Sequence, residues 1–527
     1  MKKWLLPAFL FLPFIADAQA HEWARNTGTA SYSVSNAVAA DAFGNVYVTG
    51  FYGDIQNNVP FDQVVGGGFI ARYSSAGSFI WALPVGGQGM DVLVDDSGYV
   101  YVTGSYSEVS LILDTLILAN RPFDQDQFIL KMDSLGNRIW VTGFGAYNNE
   151  YSGGIALDGS GNIFACGSFC DTLYVEDTMR VIAAGPSGQR DIYVVSYDPM
   201  GNYRWSTRAG GSTHDEATGI DCDASGAIYV TGSVRGPAMI GSTSITTYLG
   251  IADIYIAKLN PAGSFIWARS WGSNYTEYGG GLYVDNNNCA WITGRYYDNN
   301  IFISKYTAGG ALTFNETPPC GIFSGGEDIH GDDAGHIYMG GYMGAFATFG
   351  SVTLNTAGGR DVFIACYDSL GNHNWAIRAG GIDTDDPKRI CADPFGNVYH
   401  TGFLRGKAGF DYDTLYGLDS LYDDMFLAKL NTSIMTDAHS IFIPEQTMQA
   451  YPNPASHDAG IVFMMNEPGD VTLSIFNATG QLVESENLGY RSGLCKEELS
   501  LEQLPAGIYL IEVVTASERK TVRLVVE

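Results

Sequence analysis

The chain has 527 residues, of which 65 are glycine and 32 are tyrosine, and only 16% are charged. This composition excludes a long helical bundle and a disordered segment, and it favours an all-β protein with many tight turns. The formal net charge of −29 repels phosphate backbones and anionic headgroups, so nucleic acid is not an expected partner.

The chain opens with MKKWLLPAFLFLPFIADAQA, which has the form of a secretory signal peptide. Lys2 and Lys3 supply the basic start, an apolar run follows, and Ala18-Gln19-Ala20 gives the small-x-small site, so cleavage is expected between Ala20 and His21. A retained anchor is the weaker reading, because Pro7 and Pro13 break a short apolar run. No membrane span is expected after leader removal. Export permits disulfides, but the spacing of the eight cysteines selects no pairing. Cys166 and Cys170 lack the second pair or nearby histidine of a zinc site.

Residues 41 to 50, DAFGNVYVTG, are written again as DDSGYVYVTG at 95, DGSGNIFACG at 158 and DASGAIYVTG at 223. Three more copies follow: DNNNCAWITG at 285, DDAGHIYMGG at 332 and DPFGNVYHTG at 393. Each reads as a tight turn feeding a strand. A second text lies between them, as in FILKMDSLGNRIW at 128 and IYIAKLNPAGSFIW at 254, ending in tryptophan; the copy at 301 has Phe314 instead. Three positions before each first-text aspartate stands an aliphatic residue: Val38, Val92, Ile155, Ile220, Leu282, Ile329 and Ile390. Each repeat therefore predicts four strands: a (the aliphatic strand), b (NVYVTG), c (FIAKL) and d (the tryptophan strand).

The last repeat has a, b and c but no d, while HEWARNTG from His21 matches the d text IWARSWG at 266. The spare strand at the start and the missing one at the end predict a seven-bladed β-propeller, with the N-terminal strand carrying Trp23 into the last blade. An open solenoid would need caps at both ends. The runs D-x-x-G-N-x-Y-V-T-G and D-x-F-I-A-K-L-x-x-x-G-x-x-x-W resemble the seven-bladed β-propeller repeat family over residues 21–432. The resemblance implies the fold and little about activity.

Residues 433–448 read as a linker. Residues 449–527 alternate apolar and polar at Val471-Leu473-Ile475 and Tyr509-Ile511-Val513, which predicts a small β-sandwich. Three landmarks stand in order here: Tyr451-Pro452-Asn453-Pro454, Asn477-x-x-Gly480-Gln481 and Leu504-Pro505-x-Gly507-Ile508-Tyr509. They resemble the C-terminal sorting domain of the bacterial type IX secretion system. That resemblance implies passage across the outer membrane of a Gram-negative cell, a partnership with the secretion machinery, and an extracellular or surface-anchored location. The alternative is an immunoglobulin-like module that stays attached.

The turn aspartates could be calcium ligands, but most turns offer one carboxylate where calcium needs several oxygens, and turn chemistry accounts for them. No cofactor or metal is expected, with calcium the one left open. Eight residues before the strand-b aspartate stand Glu150, Asp215, Glu277 and Asp385. They share a register just before the inner strand, on the face with the longer loops, where a carboxylate ring could take a cation or polar ligand; solvation of a crossover loop is the alternative. Glu327-Asp328-Ile329-His330-Gly331-Asp332-Asp333 is the densest polar cluster. No nucleophile elbow, phosphate loop or HExxH run is present, and no catalytic residue is assigned. The leading expectation is a monomeric, non-catalytic binding or adhesion module for an extracellular glycan or protein. A secreted polysaccharide-degrading hydrolase or lyase is the alternative, and a structural surface protein a third.

Overall fold

The computed structural model describes residues 20–26, 32–53, 67–107, 110–113, 116–119, 125–145, 150–175, 179–247, 251–296, 300–411, 413–417, 422–432, 448–451, 458–477, 481–501, 504–515 and 519–526. Residues 1–19 of the expected leader, residues 433–447 of the expected linker and Pro452-Asn453-Pro454 lie outside them. The chain divides into two compact units, Met1–Ile434 and Met435–Glu527. Among the described residues there is no helix.

The turn text shows why the hairpins form. Asp41 Oδ1 accepts the N–H of Phe43 at 2.9 Å and of Asn45 at 2.8 Å, and the Asn45 side-chain amide donates to Oδ2 at 3.0 Å. Gly44 sits at φ +76°, where an L side chain is disfavoured. The same two-on and four-on bonds recur at Asp95, Asp158, Asp223, Asp285 and Asp393 before strand b. They recur between strands c and d at Asp133, Asp198 and Asp368. The aspartate is thus a turn former that satisfies backbone donors.

Among the described residues these turns build seven sheets sharing one antiparallel order of four strands, a propeller-like arrangement. The strands of each first position are Ser33–Ala40, Gln88–Val94, Tyr151–Leu157, Glu216–Cys222, Tyr278–Val284, Gly325–Gly331 and Asp386–Ala392. Each lies against its counterpart in the next sheet, and the seventh lies against the first. Ala20–Asn26 pairs antiparallel with Asp424–Asn431, the third strand of the last sheet. The predicted aliphatic register is buried throughout, from Ile329 at 1% exposure to Leu282 at 8%.

Successive sheets are joined at their rims by the tryptophan. Trp140 donates to the Pro199 carbonyl at 3.2 Å, Trp205 to Pro261 at 3.0 Å and Trp267 to Ala308 at 3.0 Å, each in the turn between strands c and d of the next sheet. The ring covers that turn's glycine so closely that a Cβ at Gly201 would stand 2.9 Å from Trp140, and one at Gly263 2.5 Å from Trp205. Phe314 covers Gly371 in the same way. Trp23 does the same to the first sheet, donating to Ser75 at 3.1 Å over Gly77.

The segments between strands b and c, expected as loops, carry hairpins. Ala238–Ile240 pairs with Thr243–Ile245, and Lys407–Phe410 with Asp413–Tyr416. Both hairpins extend the outer strand of the preceding sheet, through Gly210–Gly211 and Gly380–Gly381. Their short apolar–polar alternations, such as AMIGSTSI, are too brief for periodicity to reveal.

The second unit forms one five-stranded antiparallel sheet from Met448–Tyr451, Asp458–Asn477, Leu482–Ser500, Gly507–Val514 and Arg519–Val526. Its long strand carries register shifts between Met465 and Gly469 and between Val471 and Thr472. Ile461, Phe463, Leu473, Ile475, Tyr509 and Ile511 bury together. Of the sequence landmarks, Tyr509 donates to the Pro505 carbonyl at 2.7 Å with Leu504 buried beside it, and Asn477 accepts from the Gln481 N–H at 3.0 Å.

Gly201→Ala places a methyl group against the Trp140 ring in a left-handed backbone, whereas Gly98→Ala, also left-handed at φ +79°, meets nothing within 4 Å. Both variants carry the backbone penalty of about 1–2 kcal/mol, and Gly201→Ala carries about 1–3 kcal/mol more for overpacking. Urea unfolding of the two variants side by side reads the difference; equal losses would remove the tryptophan seat as a stabilising contact.

Candidate functional site

The first strands of all seven sheets line one cavity of about 480 Å³. Its lining reaches the turn in the first, second, sixth and seventh sheets, through Asp41, Asp95, Asp96, Asp332, Asp333 and Asp393, and stops at Leu157 and Asp221 in the third and fourth. The cavity therefore sits at the hairpin end of these strands.

One register explains its inner end. Four positions before the turn aspartate stand Ala37, Asp91, Gly154, Gly219, Gly281, Asp328 and Arg389. The glycines leave room for the charged side chains: a Cβ at Gly281 would meet Asp328 Oδ1 at 2.2 Å, and one at Gly154 would meet Asp91 Oδ2 at 3.2 Å. Arg389 reaches both acids, with Nη1 3.6 Å from Asp328 Oδ1 and Nε 3.9 Å from Asp91 Oδ1. Its Nη2 donates to the Gly153 carbonyl at 3.1 Å, which links the seventh, sixth, second and third sheets through one guanidinium.

The carboxylates are further bound to backbone. Asp91 Oδ2 accepts from Ile155 at 3.1 Å, Asp328 Oδ2 from Ile390 at 2.9 Å, and Asp221 Oδ2 from Val284 at 2.7 Å, each N–H lying in a neighbouring sheet. Burial nevertheless pushes Asp221 up to about 7 and Asp328 up to about 6, although Arg389 pulls Asp328 back. Burial opposes the charge on Arg389, but Asp328 and Asp91 overcome it and hold the guanidinium above its ordinary value. His330 tilts at 33° to Tyr283 with centroids 5.1 Å apart, and burial lowers its pKa. The polar cluster singled out in the sequence thus places Asp328, His330, Asp332 and Asp333 on this cavity.

Glu150, Asp215, Glu277 and Asp385 lie elsewhere. None is among the residues lining the cavity, and each is at most 1% exposed. Their backbone N–H groups donate to the carbonyls of Gln125, Arg190, Ala252 and Arg360, each 25 residues earlier, at 2.8 to 3.3 Å. The side chains of three of them turn into the crossover: Asp215 accepts from Gly211 at 2.7 Å and Arg235 at 2.8 Å, and Asp385 from Gly381 at 2.7 Å and Arg405 at 3.2 Å. Glu277 accepts from the Ser273 N–H at 3.2 Å. The shared register thus carries a repeated crossover clamp, one acid per sheet in four separate sheets.

Sequence reasoning missed Arg389, Asp91 and Asp221, although reading the fourth register across all seven repeats exposes the first two. It also missed the buried aspartates near the start of strand c: Asp126, Asp191, Asp253, Asp361 and Asp424. All eight cysteines are unbridged. Among the described residues, no group of histidine, cysteine and carboxylate side chains is arranged to hold a metal ion, and no helix is long and apolar enough to cross a membrane.

Residues 449–527 match the secretion system C-terminal sorting domain. This match indicates export through type IX secretion and implies interaction with that machinery. An uncharacterized WD repeat-containing protein of Acanthamoeba polyphaga mimivirus is 22% identical over 359 residues, spanning 54% of this chain and 26% of that protein. A regulatory protein of Caulobacter vibrioides is 22% identical over 304 residues, spanning 50% of this chain and 32% of that protein. The matched regions thus span about a quarter to a third of those relatives. Among solved structures, the Neurospora crassa Pan2 WD40 domain superposes with a TM-score of 0.41 at 9% identity, covering 77% of this chain and 95% of that one. Sqt1 of Chaetomium thermophilum gives 0.35 at 10% identity, covering 72% and 97%.

Arg389→Met leaves the half-buried Asp91 and the buried Asp328 without their cation, a change that removes up to about 3 kcal/mol, the low end for a buried pair because the site opens on the cavity. Both acids already titrate high, so their ionised forms destabilise the fold increasingly as pH rises, and the variant exaggerates this. Unfolding midpoints at about pH 5 and about pH 8 should show the smaller loss at the lower pH; a pH-independent loss would mean that packing alone was removed.

Proposed function

We propose that residues 21–432 form a seven-bladed propeller joined end to end by the N-terminal strand, and that it is a non-catalytic binding or adhesion module acting outside the cell. The sorting domain at residues 449–527 carries the extracellular part of this reading. Closure is supported by Trp23, which seats on the first sheet's turn as the other tryptophans seat on theirs, and by the pairing of Ala20–Asn26 with the last sheet. Such a ring is complete in one chain and acts as a monomer.

The binding reading rests on what the cavity carboxylates already do. Asp91, Asp221 and Asp328 accept backbone N–H groups, and Arg389 reaches two of them. A glycosidase needs a proton-donating carboxyl and a second carboxylate about 5–10 Å apart, both facing the substrate. Here the inner carboxylates serve the frame, and Asp96 and Asp333 at the turns are the acids offered to a ligand. An acidic mouth takes neutral polyhydroxyl or cationic groups, which fits an extracellular glycan or a basic protein segment.

Two measurements test the proposal. Immobilised chain is exposed to a panel of extracellular polysaccharides and glycoproteins with calcium present, recording retention and product mass. Retention without new products, weakened at least about fivefold by the Asp96→Asn and Asp333→Asn pair, is expected; new products would replace the binding module with a hydrolase or lyase. Deleting residues 449–527 in a host with type IX secretion should hold the protein inside the outer membrane, and its undiminished release would sink the sorting role.

A further inference from the structure

We propose that Asp191 with Asp215, and Asp361 with Asp385, form two internal carboxyl–carboxylate pairs that each bind and share one proton. Asp191 and Asp361 begin strand c in the third and sixth sheets. Asp215 and Asp385 stand in the crossovers that leave those same sheets.

Geometry brings the partners together. Gly210 separates them, and a Cβ added there would lie 2.6 Å from Asp191 Oδ1 and 2.8 Å from Asp215 Oδ2. At Gly380 the equivalent Cβ would lie 2.6 Å from Asp361 Oδ1 and 2.9 Å from Asp385 Oδ2. Both glycines sit at positive φ, +133° and +138°, and keep the space between the oxygens open. All four aspartates are 0% exposed.

Hydrogen-bond accounting then leaves one place for a donor. Asp191 Oδ2 accepts from the Ala184 N–H at 2.6 Å and from Arg208 at 3.1 Å. Asp361 Oδ2 accepts from Ala357 at 2.8 Å and from Arg378 at 2.5 Å. Both oxygens of Asp215 and of Asp385 accept backbone N–H groups. Of the eight oxygens of these four acids, Asp191 Oδ1 and Asp361 Oδ1 are the two buried without a partner, and they face the acid across the glycine. A proton on each of these oxygens, donated to Asp215 Oδ2 or Asp385 Oδ2, satisfies the orphaned atom and removes one of two like charges held in a space closed to water.

The charged surroundings agree. The first pair faces Arg208 on strand d, bonded to Asp191, and Arg235 at the end of the next strand b; Arg190 precedes Asp191 in the chain, and His214 and Glu216 flank Asp215, Glu216 beginning the next strand. The second faces Arg378, Arg360, Asp383, Asp386 and Arg405, with Asp423 bonded to Arg405 at 2.6 Å and Arg360 bonded to Asp386. Within each pair, one arginine touches the carboxylates directly, so one cation and one proton balance two acids. Burial, with the neighbouring acid adding to it, pushes Asp215 and Asp385 up to about 7. Calcium would need about six to eight oxygen ligands, whereas each pair has one uncommitted oxygen beside an arginine.

Stability follows by linkage. A carboxyl whose folded value is raised holds its full stabilisation below the unfolded value near 4, and loses it as pH rises toward about 7. Each pair should shift the unfolding equilibrium about tenfold per pH unit over that window. The experiment uses the full chain and the Asp191→Asn/Asp361→Asn double variant. Asparagine keeps an oxygen for Ala184 or Ala357 and an amide donor for the facing acid, so it mimics the protonated pair at every pH. Difference infrared spectra at about pH 6 should show less protonated-carboxyl absorption in the variant than in the parent, the remainder coming from Asp221 and Asp328, with the variant's unfolding midpoint flatter against pH. The single variant Asp215→Asn, which turns an amide toward backbone N–H groups, should instead destabilise at all pH values. Identical carboxyl absorption in parent and double variant would overturn the proposal. Millimolar calcium that raises the parent's midpoint and spares the variant's would overturn it in favour of a cation. If the double variant fails to fold, carbon-detected titration of the parent's aspartates decides: four-fold-buried acids titrating within the ordinary carboxylate range would overturn it.

Discussion

The frame depends on a contact between neighbours: an indole laid over a glycine in the next sheet's turn. A four-stranded antiparallel sheet with two apolar faces is unstable alone and must be covered on both. Here each sheet is covered by the next through the buried aliphatic register near the axis and through the tryptophan near the rim. The turn glycine answers two demands at once. It permits the left-handed backbone that the aspartate turn imposes, and it leaves no Cβ between the ring and the backbone. Replacing tryptophan with Phe314 in the fifth sheet keeps the cover and gives up the indole N–H, which marks that bond as supplementary to the packing.

At the axis the constraint is different. Seven first strands converge, and their side chains cannot all be large. The register Ala37, Asp91, Gly154, Gly219, Gly281, Asp328, Arg389 divides the space unequally: Gly154 makes way for Asp91 and Gly281 for Asp328, while Gly219 lets the backbone at Gly280 and Leu282 approach. The charged groups repay the room by tying strands that are not sequence neighbours. An arginine is suited to this because its planar head donates in several directions and stays charged when buried. The arrangement gives specificity of assembly: a substitution in one sheet exposes a charge belonging to another.

Much of this was legible in the sequence because the repeats sample one environment seven times. The aspartate turn, the aliphatic register and the tryptophan each recur, so a common cause can be inferred from any of them. The tail was legible for another reason, since its landmarks Asn477-Gln481 and Leu504 to Tyr509 are local turn contacts. The axis was harder to read because its pattern is one of differences between repeats. Arg389 stands where other sheets have glycine, and nothing in the seventh repeat alone shows what it meets. The acids at Glu150, Asp215, Glu277 and Asp385 were visible as a register, but the acids that face Asp215 and Asp385 across a glycine, Asp191 and Asp361, lie 24 residues away in the chain. Register revealed that they are equivalent, while only the folded crossover revealed that they turn inward.

The acidity of the chain therefore has two physical origins, and only one concerns the outside world. A net charge of −29 invites a reading as a cation-seeking surface. Yet the turn aspartates satisfy N–H donors two and four residues on, Asp91 and Asp328 flank an arginine, and the crossover acids are closed off from water. These carboxylates are internal hydrogen-bond acceptors in a fold with many turns and few helices to satisfy its donors. What they oppose is their own burial, which raises several of their pKa values. A fold built this way gains from any proton or arginine that relieves the repulsion, and that demand is strongest where two acids meet across a single glycine.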